Sequence, residues 1–256
     1  MTSTARAVFP VMGTMTSIVV ADSDTVRLGT EQVGVALRAA QQELELVDRR
    51  FSHYSPDSDI TRWLAGGTIS PDAVAEFDYV LRQCGRLRQD SRGVFTVKNP
   101  MTGTVDTAGY VKGYGIRRAA EVMRSLGLRN FLLTVGGDTY CAGRPSADRP
   151  WRVAVADPRN PRAIAALVEV SDAAVATSGT SERGDHIWTA VGPAPRHLLS
   201  FTVIGPDIAE ADAFATIGFA MGEAGVAWVA GHEGYRSMAI RPDGSIIGDA
   251  ALVSAA

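Results

Sequence analysis

The hydrophobic period of this chain changes along its length, and the change limits the folds open to it. From Glu31 to Phe51, the residues Val33, Leu37, Ala40, Leu44, Val47 and Phe51 recur at three- and four-residue steps. That is the spacing of an amphipathic helix. A second helix is predicted over Ser70 to Ser91, with Ser70 as its cap and Pro71 at the first helical position. A third is predicted from Tyr114 to Leu126, ended by Gly127. Only one strand, "MTSIVVA", precedes these helices, and the polar "FSHYSPDSDI" reads as a loop between the first two. After Leu126 the pattern shortens to the strand-like runs "RNFLLTV", "WRVAVAD", "AIAALVEV", "AAVATS" and "LLSFTVIG". Helices return at Glu210 to Gly222 and in "GVAWVAG", before a closing hairpin around Pro242, Asp243 and Gly244. Helices early and strands late, without strict βαβ repeats, predict an α+β protein and argue against a doubly wound sheet.

No linker, repeat or low-complexity segment interrupts the 256 residues, so a single domain over 1–256 is expected, built as one large unit or two intimately packed lobes. A net charge of -3 gives no electrostatic basis for nucleic acid or an anionic membrane as partner. No apolar run approaches the ~18 residues of a membrane span. The N-terminal "MTSTARAVFPVMGT" carries no signal-peptide pattern, so a cytoplasmic location is expected. Cys84 and Cys141 match neither a disulfide framework nor a metal-site spacing, and are expected as buried thiols.

Among motifs with a known mechanism, GxxxxGK[ST], a strand-to-helix GxGxxG, HExxH, CxxC and GxSxG are all absent. What stands out instead is the stretch Val105 to Gly143, which packs seven glycines into 39 positions around Lys112, one of only two lysines in the chain. Glycine at that density marks either repeated turns or close approach to the backbone. In "EADAFATIGFAMG", Asp212 and Thr216 are four residues apart and share one helical face. Such a pair can hold a hard cation such as magnesium, or it can be an ordinary solvated pair. His186 alone in a loop reads more readily as a surface residue than as a base.

The order of the pieces is more informative than any one of them. "VMGTMTSIVV", "RRFSHYSPDSDI", "VDTAGYVKGYGIRRAAEVM", "FLLTVGGDTYCAGRP", "WRVAVADP", "AVATSGTSERGDHI" and "ADAFATIGFAMG" follow one another from Val11 onward. In that joint order the chain resembles the FAD:protein FMN transferase family, also called the ApbE family, as far as Gly248.

The resemblance implies an α+β fold with mixed or antiparallel sheets, flanking helices and a flavin cleft between two lobes. It implies magnesium-dependent transfer of FMN from FAD to a Thr or Ser hydroxyl of an acceptor protein, with release of AMP. Carried over by matching motif, Met12 and Tyr54 would contact the flavin nucleotide, and Phe95, Thr96 and Val97 would line the site. Asp106 and Lys112 would hold the adenosine end and its phosphates, with Gly137, Asp138 and Ile187 also on the dinucleotide. Asp212 and Thr216 would bind Mg2+ through their side chains and Gly109 through its carbonyl, while His186 would serve as the base. One departure bears on the chemistry. Where the family usually reads "HIIDPRTG", this chain reads "HIWTAVGP", with Thr189 for the aspartate and Ala190 for the proline. The implied FAD and metal ligands lie elsewhere; if the aspartate normally orients the histidine or the target hydroxyl, its absence would slow or alter transfer, which leaves FAD hydrolysis to FMN and AMP, or FAD binding without catalysis, as alternatives.

Overall fold

The computed structural model describes residues 5–179, 188–194 and 197–249. The chain opens with an antiparallel hairpin, β1 (Ala5–Val11) and β2 (Thr14–Val20). Met12 and Gly13 turn it with φ of 53° and 69°. Two consecutive positive φ values give the tight turn that matches strand twist, and a methionine there is held against its preference. Five helices follow: α1 (Asp22–Leu28), α2 (Thr30–Phe51), α3 (Asp59–Leu64), α4 (Val74–Asp90) and α5 (Ala108–Ser125). Then come β3 (Phe131–Val135), β4 (Asp138–Ala142), β5 (Trp151–Asp157), β6 (Asn160–Val170) and β7 (Ala173–Gly179). The short β8 (Trp188–Thr189) and β9 (Gly192–Pro193) pair with each other. The chain continues through β10 (Ser200–Gly205), α6 (Ile208–Met221), α7 (Ala224–Ala230), β11 (Arg236–Ile240) and β12 (Ile246–Gly248).

Eight strands form one sheet in the order β1-β2-β3-β4-β7-β10-β11-β12, and every pairing in it is antiparallel. Both faces are covered. On one, Phe131, Leu133, Ala174, Ala176, Phe201 and Val203 pack with helix residues such as Leu44, Ile116 and Phe214. On the other, Val175, Ile204 and Met238 pack with Trp151, Val153, Ala166 and Val168 of the separate β5–β6 hairpin. The alternation Ala174, Val175, Ala176 between the two clusters is the two-residue period of a strand buried on both sides. The α+β class and the flanking helices are as expected, and the sheet is antiparallel throughout rather than mixed. No described helix is long and apolar enough to cross a membrane.

Helix α2 begins one residue from its predicted start, and its buried residues keep the predicted period. The end of α5 is also as read: Gly127, at φ 95°, donates to the Arg124 carbonyl at 2.9 Å and Leu128 to that of Met123 at 3.1 Å. Those two bonds are a Schellman termination. Its start is not. Helix α5 begins at Ala108, six residues before Tyr114, and includes Gly109, Gly113 and Gly115. At Gly113 a Cβ would lie 2.5 Å from the Ile208 carbonyl oxygen and 2.8 Å from both Ala209 Cα and Asp212 Cβ. Gly113, which lowers local helix propensity, is what lets α5 close onto α6, so packing overrides propensity.

Other differences share that origin. Helix α4 starts at Val74, and Ser70 caps nothing: its hydroxyl donates to Asp59 Oδ2 at 3.1 Å. Asp59 begins α3, where a loop was expected, and Ser58 caps that helix by accepting from Thr61 N–H at 3.2 Å. Strand β1 carries Pro10, which an edge strand tolerates. Strand β4 begins directly after the two glycines of "GGD", which form the turn between β3 and β4.

Candidate functional site

One cleft gathers pieces from across the sequence. The β1–β2 turn supplies Met12 and Gly13; the end of α2 and the segment after it supply Asp48, Phe51, His53 and Tyr54. Val94, Phe95 and Thr96 follow α4, Asp106 to Lys112 open α5, Thr177 to Gly179 end β7, and α6 contributes Asp212 and Thr216. Trp188 completes the described wall.

Asp212 sits in the most buried helix of the molecule. Helix α6 is apolar on nearly all sides, as a helix enclosed by protein must be, yet it holds this carboxylate at 3% exposure. Burial pushes Asp212 up to about 8, Lys112 pulls it down, and neighbouring Asp138 adds to the rise. Lys112 Nζ lies 2.7 Å from Asp138 Oδ2 and 3.6 Å from Asp212 Oδ1. Asp138 is fully buried and accepts from the Thr177 N–H at 3.0 Å. Among the described residues two buried carboxyl groups thus face one ammonium, and a second positive charge is what would let Asp212 ionise at neutral pH.

A hard cation would supply that charge. The Thr216 hydroxyl stands one helical turn beyond Asp212 and 3.2 Å from the Ser178 hydroxyl, so oxygen donors face the acid. The second Asp212 oxygen accepts from the Gly113 N–H at 2.8 Å. In a helix that N–H belongs to the carbonyl of Gly109, four residues back. An N–H has one proton, so Asp212 competes for it and loosens the hold on the Gly109 carbonyl, which lies in the cleft wall. Among the described residues no three His, Cys, Asp or Glu side chains converge as a metal cluster. The donor set is one carboxylate with hydroxyls and a carbonyl, the chemistry of magnesium rather than of zinc.

The other predicted residues divide. Tyr54 is 82% exposed at the cleft rim, Phe95 is buried against Gly109, and Met12 is fixed by its N–H donating to Asp48 Oδ2 at 3.2 Å. Thr96 lines the cleft, but its hydroxyl is engaged with the Lys98 backbone. Asp106 accepts from the Ala108 N–H at 2.7 Å, starting α5 at the cleft edge. Val97 and Gly137 lie off the walls: the Val97 carbonyl takes the Asp106 N–H, and Gly137 is exposed in the β3–β4 turn. Asp138 acts from beneath the wall through Lys112. His186 and Ile187 fall outside the described residues.

Sequence reasoning missed His53, Ser178 and Trp188, although each lies inside a motif it used. His53 Nε2 accepts from the Thr107 N–H at 3.1 Å and stands 3.5 Å from Asp106 Oδ1. Burial lowers its pKa against the opposite pull of Asp106. A neutral ring whose accepting nitrogen is already engaged steadies the start of α5 and is no base at that atom. Ser178 carried a signal in "ATSG", a polar pair at a strand end. Trp188 carried none.

The profile of the ApbE family matches residues 12–102 and 97–239. The chain belongs to the ApbE family. Its curated relatives include the FAD:protein FMN transferases of Haemophilus influenzae, 28% identical over 131 residues, and of Vibrio cholerae, 31% identical over 130 residues. Each match covers 46% of this chain, but 38% and 39% of the relative, so it spans about two fifths of their length. Solved ApbE structures align over nearly the whole chain. The flavin transferase ApbE of Vibrio cholerae gives a TM-score of 0.75 at 20% identity, covering 98% of this chain and 99% of that one. The ApbE protein of Thermotoga maritima gives 0.81 at 19%, covering 97% and 98%. These likenesses establish an ApbE fold.

Proposed function

We propose that this ApbE-family chain binds FAD and a magnesium ion in the cleft and transfers FMN to a threonine or serine hydroxyl of an acceptor protein. AMP is released. The observation that carries the reading is the charge deficit of Asp138, Asp212 and Lys112 beneath an open cleft, at the positions where the family motifs fall. Asp212, Thr216 and the Gly109 carbonyl would hold the cation, which offsets phosphate charge at the attacking and leaving oxygens. Lys112 adds a fixed positive charge under the pyrophosphate, and Met12, Tyr54 and Phe95 present apolar surface to a ring. The acceptor hydroxyl oxygen bonds to the FMN phosphorus, the bond to the AMP oxygen breaks, and the hydroxyl proton passes to His186.

Incubation with FAD, Mg2+ and an acceptor peptide should yield AMP together with a covalently fluorescent peptide on a denaturing gel. Asp212→Asn should cut both products by about 10²-fold or more. Labelling that stays near the parent rate in Asp212→Asn, or that proceeds fully in excess EDTA, refutes the reading. Hydrolysis is a second reading with its own motive. Thr189, which replaces the family's usual aspartate, has its hydroxyl tied inside its own hairpin, donating to Gly192 O at 3.2 Å. If hydrolysis dominates, free FMN and AMP appear at the same rate whether or not acceptor is present.

A further inference from the structure

The β8–β9 hairpin is rigidly placed for so short an element. Its turn is locked by Thr189, whose hydroxyl donates to the Gly192 carbonyl and accepts from the Val191 N–H at 3.3 Å. The Ala190 N–H ties the hairpin to the Gly93 carbonyl at 3.2 Å, just ahead of the Val94–Thr96 wall. This frame holds Trp188 in the cleft. Its indole N–H is buried and meets no acceptor among the described residues.

That state calls for an explanation. Indole nitrogen only donates, and folded proteins rarely bury a donor without an acceptor. In the wall segment next to its hairpin, the Val94 and Phe95 side chains are apolar and the Thr96 hydroxyl is engaged with the Lys98 backbone. Trp188 also lies in the run where this chain departs from its family, at the position of an isoleucine in "HIIDPRTG".

We propose that Trp188 reads the ligand: its indole N–H donates to an acceptor atom of the bound flavin dinucleotide, supplying the hydrogen bond that the described residues leave unmade. The inference rests on the reading that the cleft takes FAD, a molecule with ring carbonyls, ring nitrogens and phosphate oxygens along its length. Trp188 is a specificity residue within that reading and takes no part in moving the phosphoryl group.

Trp188→Phe keeps an aromatic ring and removes the N–H, which makes it the test. In calorimetric titration with FAD and Mg2+, the variant should bind about five- to tenfold more weakly, the size of one hydrogen bond. The ligand-free variant should melt at or above the parent temperature, because it no longer buries an unpaired donor. Equal affinity, or a lower melting temperature without ligand, overturns the proposal, since the second result marks a structural tryptophan. A measurement on the parent protein guards against a misfolded variant. The indole 15N–1H resonance of Trp188 should move downfield on adding FAD; no movement, or an upfield shift from ring stacking alone, also overturns it. If the parent binds no FAD, the reading of the cleft falls and this inference with it, whereas unchanged affinity in Trp188→Phe removes the inference alone.

Discussion

Of the aspartates buried almost completely in this molecule, Asp24 at 1% exposure and Asp212 at 3% have acidities that move in opposite directions. Burial raises both. At Asp24 that rise is outweighed, because the carboxylate accepts from the Arg129 N–H at 2.5 Å, the Asn130 N–H at 2.7 Å and Arg27 at 2.9 Å. Asp212 has one backbone donor and a lysine that it shares with a second acid, so burial prevails and its carboxyl is pushed up to about 8. The difference separates two uses of a buried charge. Asp24 is satisfied by the fold and fastens α1 to the chain entering β3. Asp212 is left in deficit, and the deficit faces the cleft.

Substitution should split the pair. Asp212→Asn removes the carboxylate from the cation site, and we expect transfer to fall by about 10²-fold or more, the scale of losing a principal electrostatic group. At pH 7 and without metal the same variant should melt higher than the parent, because the fold no longer has to protonate a carboxyl that the unfolded chain keeps ionised. A lower melting temperature would make Asp212 a structural residue like Asp24. Gly113→Ala attacks the same acid from its donor side. Its methyl would press on the Ile208 carbonyl and Asp212 Cβ, so α5 must shift off α6. Urea unfolding should record a loss near the top of the ~1–3 kcal/mol range for overpacking. Metal-dependent stabilisation should shrink with it; a variant of full stability would show that the close approach of α5 and α6 is dispensable.

Asp24→Asn should do the reverse of Asp212→Asn. It replaces a charge-assisted acceptor by a neutral one, at a cost of about 1–2 kcal/mol, and leaves transfer activity intact. The pH dependence follows from the lowered folded-state pKa. Above the unfolded value, about 3.9, the unfolded chain gains nothing by staying ionised that the fold does not already have, so the full contribution is present. As pH falls below that value the unfolded state takes up its proton first, and stability drains until the folded group is protonated too. The stability gap between parent and Asp24→Asn should therefore be constant near pH 7 and close as pH drops below about 4. A gap that widens in acid would contradict the hydrogen-bond assignment.

The two aspartates were not equally legible. Asp212 was picked out by its four-residue spacing to Thr216, because both ends of that relation lie in one helix. Lys112 and Asp138 were named separately, but their union with Asp212 joins α5, β4 and α6, and nothing local encodes it. Helix α2 was readable because its periodicity is written along 22 consecutive residues. The first turns of α5 were not, because Gly109, Gly113 and Gly115 argue against helix until Phe95, α6 and the Met12–Leu44 surface are present to pack on them. The same reasoning covers Trp188. A tryptophan in a polar loop has no sequence signature for an unpaired N–H, since that property depends on what the fold fails to place beside it.

The tryptophans repeat the contrast at smaller scale. Trp151 lies on the hairpin-covered face of the sheet, packed with Val153, Val168 and Ile204, and its indole donates to the Ala142 carbonyl at 2.9 Å. That bond fastens β5 to the end of β4 and has no ligand to serve. Trp151→Phe should therefore cost about 1 kcal/mol of unfolding free energy, with FAD affinity unchanged. For a domain of this size that is a fall in melting temperature of about 2–4 °C. Trp188→Phe is expected to show the opposite pattern, with weaker ligand binding and no loss of stability. If both variants lost stability and kept affinity, the indoles would be equivalent structural residues, and an unmade hydrogen bond would cease to mark where this chain meets its ligand.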